Sequence, residues 1–311
     1  MSFREKSYIV GKAHKAARLP ARNMFYCTPR NLRQSRPPER KPLNSPSIIS
    51  PSEKVIATID GSVGWLIFNN PAKRNALCLE MWRAIPIILD RFESDSAVRS
   101  VVLTGAGALA FTSGADISEF ESMRGTPADQ ARYNAISETA LSRLQTCPKP
   151  TIAMIQGYCM SVGLGVALAC DLRFASHNSR FASLAARLSL TYRWTDIKML
   201  IDLIGPAKTK DLFFSARHVP GLEAAAMGLV DYVLPDDDLK GFTRGYCDRV
   251  ADNAPLTMAA TKKIIAEITK PSAEIDRDLC KETVASCYAS EDYIEGRRAF
   301  MEKRKPAFRG R

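Results

Sequence analysis

Proton-carrying side chains are scarce in GYCMSVGLGVALACDLRFASHNSRFASLAARLSL, residues 157–190, a stretch that otherwise has the form of an active-site frame. It offers a turn, the start of a helix, a buried apolar helix and a strand. It holds one aspartate (Asp171), one histidine (His177) and no glutamate. General acid–base chemistry needs a group that can gain and lose a proton beside the reacting atoms. Outside the stretch, Glu119 and Glu121 in ADISEFES and Asp196 in RWTDIKML are the acids that could supply one. A solvated surface position is the competing expectation for each. Asp116, in SGADI, is expected to fix its loop. Asp171, ending the apolar helix, is expected to make structural hydrogen bonds, because a buried carboxylate needs partners. His14, His177 and His218 are not spaced as parts of a triad. GAGALAF (105–111) lacks the GK[ST] of a phosphate loop and the spacing of a dinucleotide fingerprint. No Cys or His spacing fits a metal site, so no metal is expected.

The elements that position these residues follow from periodicity. KVIATIDGSVGWLIFNNP alternates like a hairpin with its turn at Asp60-Gly61. NALCLEMWRAIPIILDRFESD has helical spacing through Leu79, Met81, Trp82, Ile85 and Leu89, and Pro86 within it predicts a kink. VRSVVLTGAG, TIAMIQG and LRFAS predict buried strands, with helices in SETALSRLQTCPKP and SVGLGVALACD between them. This alternation predicts an α/β fold with a mostly parallel sheet. From Thr195 onward helices are expected to dominate, with VDYVL as the one strand.

Bulk composition limits the function classes. The 311 residues are 46% hydrophobic and 25% charged, which suits a globular protein with a large core. No apolar run reaches the roughly 18 residues needed to cross a bilayer. The net charge of +11 is unevenly placed. Residues 1–50 carry eleven Lys/Arg and two acids, leaving 33 bases and 31 acids for the rest. The basic balance thus belongs to the tail, and the near-neutral remainder argues against nucleic-acid binding by the core. Residues 1–25 are amphipathic, Arg-rich and acid-poor, as in a mitochondrial import signal. A short helix is expected near Lys6–Ala17, limited by Pro20. The Pro-, Ser- and Arg-rich segment that follows cannot bury enough apolar surface to fold alone. The eight cysteines show no CxxC and are expected to be reduced and mostly buried.

Five stretches, in order, carry a resemblance: NNPAKRNAL (69–77), FTSGADISEF (111–120), PKPTIAMIQGYCMSVGLGVALACDLRFAS (148–176), EAAAMGLVDYVLP (223–235) and GRRAFMEKRKPAFRGR (296–311). From about Glu53 to Arg311 the chain resembles the crotonase superfamily of enoyl-CoA hydratases and isomerases. The resemblance implies a spiral of ββα units with a C-terminal helical region that builds a trimer, often doubled to a hexamer. It divides the chain into a targeting segment or extended arm (1–52), a core domain (53–220) and a helical oligomerisation region (221–311).

The resemblance also implies an oxyanion hole for a coenzyme A thioester carbonyl, made by two backbone N–H groups. These fall at Ala115 and Val162. A β-branched residue where the family has glycine predicts a distorted or plugged hole. The two family glutamates that handle water and protons fall at Gly165 and Ala185, neither of which carries a proton. Tyr192, Arg193 and Trp194 stand where small residues leave room for an acyl chain. The C-terminal EKRKPAFRGR is either a contact for coenzyme A phosphates or a solvated basic tail. The resulting expectation is a catalytically degenerate family member in the mitochondrial matrix, a homotrimer, hexamer or subunit of a larger assembly, without a cofactor of its own and with acyl-CoA as a possible ligand. The alternative is an active acyl-CoA isomerase, hydrolase or decarboxylase with relocated acid–base groups. An RNA-binding homologue is third.

Overall fold

The hydrophobic residues of each central strand divide between two faces, and both faces are covered. In the computed structural model, which describes residues 47–48, 50–120 and 125–311, Val63 and Trp65 pack to one side of their strand while Leu66 and Phe68 pack to the other. Ile152 and Met154 likewise oppose Ala153 and Ile155. Double-sided burial explains why these strands are near-continuous apolar runs.

The large sheet comprises β1 (Ser47–Ile48), β2 (Val55–Asp60), β3 (Val63–Phe68), β4 (Ser100–Gly105), β6 (Thr151–Ile155), β8 (Leu172–Ser176) and β11 (Tyr232–Leu234), side by side in that order. The β2–β3 hairpin is antiparallel, and from β3 onward all neighbours are parallel. A smaller sheet joins β5 (Ala110–Thr112), β7 (Tyr158–Met160), β9 (Arg180–Ala182) and β10 (Val219–Pro220). The chain alternates between the sheets and then crosses back through a helix. β4 and β5 lead to α2 (Pro127–Thr146), β6 and β7 to α3 (Val162–Ala169), and β8 and β9 to α4 (Trp194–Ser215). This is the expected ββα spiral. The short strands of the second sheet, including β10 beyond Thr195, were not among the expected elements.

The helix α1 (Leu79–Ser94) fills the main core with Met81, Trp82, Ile85, Ile88, Leu89 and Phe92. Its Trp82 Nε1 donates to Tyr133 Oη of α2 at 2.9 Å. The kink expected at Pro86 is not a break, since the helix runs uninterrupted through that residue. Packing of both flanking turns holds it against the loss of one hydrogen bond. The break occurs instead in α4 at Gly205, where Pro206 disfavours helical angles for the residue before it.

Beyond α4 come α5 (Gly221–Ala226), α6 (Leu239–Ala251), α7 (Pro255–Ile268), α8 (Arg277–Tyr288) and α9 (Glu291–Met301). The α6 helix covers the second face of the large sheet, where Phe174 meets Tyr232, Phe242 and Tyr246 edge-on at 5.1–5.4 Å between ring centroids. Lys262 of α7 reaches Asp171 at 2.7 Å, and Thr151 also donates to that carboxylate from N and Oγ1. Asp171 thus has the structural role expected of it. The C-terminal EKRKPAFRGR is not a free tail. Its backbone N–H groups at Arg309 and Gly310 donate to buried Asp292, and Arg304 is paired with Glu295 and Glu302. The expected import signal, the Lys6–Ala17 helix, His14 and Cys27 lie outside the described residues. Among the described residues no helix is long and apolar enough to cross a membrane.

Candidate active site

Two loops meet where the large and small sheets adjoin. The first follows β5 and is zipped to residues 74–77. Ser113 N donates to Arg74 O, Leu77 N to Gly114 O and Asp116 N to Leu77 O, at 2.8–3.0 Å. This pattern uses the N–H groups on either side of Ala115. Among the described residues the Ala115 N–H has no acceptor. Asp116 holds the loop from below, as expected. Its carboxylate accepts from Lys73 Nζ at 2.8 Å and from Ser118 N and Oγ at 3.2 and 2.7 Å. Burial opposes its ionisation, but the bonds from Lys73 and Ser118 outweigh that and hold its pKa below the ordinary value.

A folded-state pKa below the unfolded one gives stability that is present above the unfolded value, near 3.9, and is lost as pH falls through the folded value. We therefore expect Asp116→Asn to cost about 1–3 kcal/mol at pH 7 and to flatten the acid limb of the stability profile. Denaturant melts between pH 3 and 7 measure both, and equal acid limbs for parent and variant would contradict it.

The second loop starts α3. Ser161 adopts φ 52°, ψ −119°, a conformation that L residues rarely take. It is secured by Ser161 N donating to Ala182 O at 2.8 Å and by Leu184 N donating to Ser161 Oγ at 3.3 Å. Val162 is the first helical residue and packs against the main core. The distortion expected at Val162 is therefore absent, because the strain falls one residue earlier, on Ser161. The Val162 N–H, like that of Ala115, has no acceptor among the described residues. The loops touch: a methyl group on Gly114 would stand 3.3 Å from Ser161 Cβ, and one on Gly163 would stand 2.2 Å from Thr112 Cγ2. Two unengaged N–H donors thus sit on neighbouring segments, one at a helix N-terminus, an arrangement suited to a developing oxyanion.

Around these donors the sequence expectations divide. Gly165 is buried, and a methyl group there would meet nothing within 4 Å, so there is room beside it. Ala185 is buried at the start of a single turn, Ala185–Leu188. Neither supplies a proton. Glu119 Oε2 accepts from Leu79 N at 2.9 Å and so caps α1. Asp196 forms a fork with Arg193, at 3.0 and 3.1 Å. Glu121 lies outside the described residues. Of the three bulky residues expected to fill the acyl pocket, Trp194 is 74% exposed and Arg193 is committed to Asp196 and to Asn134 O.

Only Tyr192 turns inward. Its ring meets Phe213 edge-on at 5.0 Å, and its phenol adjoins the Ser161 and Ser183 hydroxyls. Burial raises the phenol's pKa, opposed by those two hydroxyls. Sequence reasoning took Tyr192 as bulk and passed over both serines. The signal it had was a hydroxyl residue, Ser161, in place of the first glycine of the helix start.

The thiols do not contribute reactive groups. Burial pushes Cys147 up to about 11 and Cys170 up to about 12. Cys159 is raised for the same reason.

The enoyl-CoA hydratase/isomerase family model matches residues 58–311, which include both loops and every strand and helix from β3 onward. The chain belongs to this family. It is 31% identical over 253 residues to the short-chain-enoyl-CoA hydratase of Clostridium acetobutylicum, covering 81% of this chain and 95% of the relative. It is also 31% identical to the carnitinyl-CoA dehydratase of Proteus mirabilis, covering 84% of this chain and all of that one. The crystal structure of an enoyl-CoA hydratase/carnitine racemase from Magnetospirillum magneticum superposes with a TM-score of 0.78 at 30% identity, over 84% of this chain and 97% of that one. The architecture is accordingly the crotonase fold, with a helical C-terminal region. Among family members the distinguishing feature of this chain is the pairing of an unobstructed donor pair with uncharged residues at 165 and 185.

Proposed function

We propose that this protein binds an acyl-CoA thioester through the Ala115 and Val162 N–H groups and does not hydrate enoyl chains. The observation that carries this reading is the pair of unengaged donors on touching loops, next to the room beside Gly165. This favours an active acyl-CoA enzyme with a changed reaction over a plugged remnant. Preorganised donors of this kind each contribute about 10²–10³ to a reaction that passes through an enolate. Acetoacetyl-CoA is the test ligand, because binding as its enolate alters its ultraviolet spectrum. We expect the full chain to produce that difference spectrum, and no spectral change at millimolar ligand would overturn the reading.

An apolar groove of about 850 Å³ between α7, α8 and α9 supports a second role, as a structural or assembly subunit. Leu256, Ile264, Val284, Tyr288 and Phe308 line it, and Phe300 on its rim is 82% exposed. Exposed apolar surface of this extent marks an association face. A homotrimer, or a hexamer of two trimers, is the proposed assembly, since closed symmetric rings bury such faces on every copy. Light scattering of the full chain is expected to give a trimeric or hexameric mass, and Phe300→Glu to shift it toward monomer. A monomeric parent would contradict the proposal. The composition of residues 1–25 supports a mitochondrial matrix location, for which amino-terminal sequencing of protein from fractionated cells is the check. The near-neutral charge after residue 50 disfavours RNA as a ligand of the core.

A further inference from the structure

The candidate site has an oxyanion device and a proton donor but no base. Glu119 caps a helix, Asp116 is held by Lys73 and Ser118, and Asp196 is forked to Arg193. Gly165 and Ala185 carry no proton. The Tyr192 phenol lies beside Ser161, the residue immediately before the Val162 donor. It also adjoins Ser183, whose hydroxyl is 1% exposed and has no hydrogen-bond partner of good geometry. A buried hydroxyl left unsatisfied is unusual enough to require a cause, and a bound polar group would satisfy it. Burial keeps the phenol protonated at neutral pH, which makes it an acid there and not a base.

A site that can stabilise an enolate and protonate it, but cannot remove a C–H proton, must obtain the enolate by another bond cleavage. We propose that Tyr192 is the catalytic proton donor of this site, positioned by Ser161 and Ser183, and that the substrate is a malonyl-type thioester, which yields the enolate by losing carbon dioxide. This rests on the reading that the thioester oxygen sits between Ala115 and Val162. The bond between Cα and the carboxylate breaks, and its electron pair passes into the enolate, whose oxygen the two N–H groups hold. Carbon dioxide leaves. Tyr192 Oη gives its proton to Cα, and water restores the phenol. The environment suits the step. The nearby guanidinium of Arg193 is already engaged by Asp196, so a carboxylate entering this buried space gains no counter-ion, while neutral carbon dioxide needs none.

The test uses the full chain with malonyl-CoA and methylmalonyl-CoA in D₂O. We expect release of carbon dioxide and formation of acetyl-CoA or propionyl-CoA carrying one solvent deuteron at Cα. Tyr192→Phe removes only the hydroxyl. It is expected to lower turnover by about 10²–10⁴ while acetoacetyl-CoA affinity changes by less than about threefold. Ser183→Ala is expected to give a smaller loss of turnover. Melting curves verify that both variants fold, and loss of turnover in a folded Tyr192→Phe supports the assignment. If acetoacetyl-CoA binds but neither malonyl thioester reacts, or if Tyr192→Phe turns over as fast as the parent, this inference is overturned and the thioester site stands. If acetoacetyl-CoA does not bind, both fall.

Discussion

Crotonyl-CoA is expected to remain unhydrated by the full chain, with turnover at least about 10⁴-fold below the usual enzyme range of about 1–10³ s⁻¹. Hydration requires a base to take a proton from water and an acid to deliver one to Cα. Each such group contributes about 10²–10⁴. Gly165 and Ala185 occupy the positions where the family resemblance places those carboxylates, and the described acids nearby are engaged elsewhere. The structure adds a second arm to the test. Because Val162 is undistorted and space is free beside Gly165, restoring both carboxylates in Gly165→Glu/Ala185→Glu is expected to raise hydration by about 10²-fold over the parent. Ordinary turnover by the parent would mean that another residue performs the proton transfers. A double variant as inert as the parent would mean that Tyr192 blocks the approach of water. Loss of absorbance of the enoyl thioester measures both.

Gly157→Ala is expected to cost about 3–6 kcal/mol, a large part of the roughly 5–15 kcal/mol that holds a typical domain together. Gly157 links β6 to β7, the step at which the chain leaves the large sheet for the small one. Its φ is +69°, and an added Cβ would fall 2.1 Å from the Leu109 carbonyl oxygen. That contact is closed by the bond from Tyr158 N to Leu109 O at 3.1 Å, so neither side can retreat without breaking the β5–β7 pairing. Gly107→Ala is the control. Its φ of +75° carries similar strain, but nothing lies within 4 Å, and a loss of only about 1 kcal/mol is expected. Urea denaturation compares the two. Equal losses would show that backbone strain alone, and not the crossing of the sheets, sets the cost at residue 157.

Much of the frame was legible before the structure. The β2–β3 hairpin announced itself through alternation and the Asp60-Gly61 turn, and α1 through its apolar spacing. The strands β4, β6 and β8 read as apolar runs because both of their faces are buried. The short strands β5, β7, β9 and β10 were not legible. Segments of two or three residues are too brief to display a period, and they are strands only because a neighbour pairs with them. The opposite outcomes at Pro86 and Gly205 have a related cause. Proline removes one hydrogen bond in either helix, but in α1 the buried residues on both sides maintain the helix, whereas in α4 the glycine before the proline gives way.

The site shows the same division. The sequence by itself determined the family, the order of the ββα units and the absence of proton-carrying groups at 165 and 185, because these depend on residue identity and local pattern. It also identified Ala115 and Val162 as the donor positions. Only the tertiary structure decided that Val162 is unstrained, that Glu119 and Asp196 are already engaged, and that Tyr192 alone of three bulky residues turns inward to meet Ser161 and Ser183. Those outcomes depend on which groups, tens of residues apart, share one small volume. The competition among them for hydrogen bonds is settled by distance and burial, and neither is written in the spacing of residues along the chain.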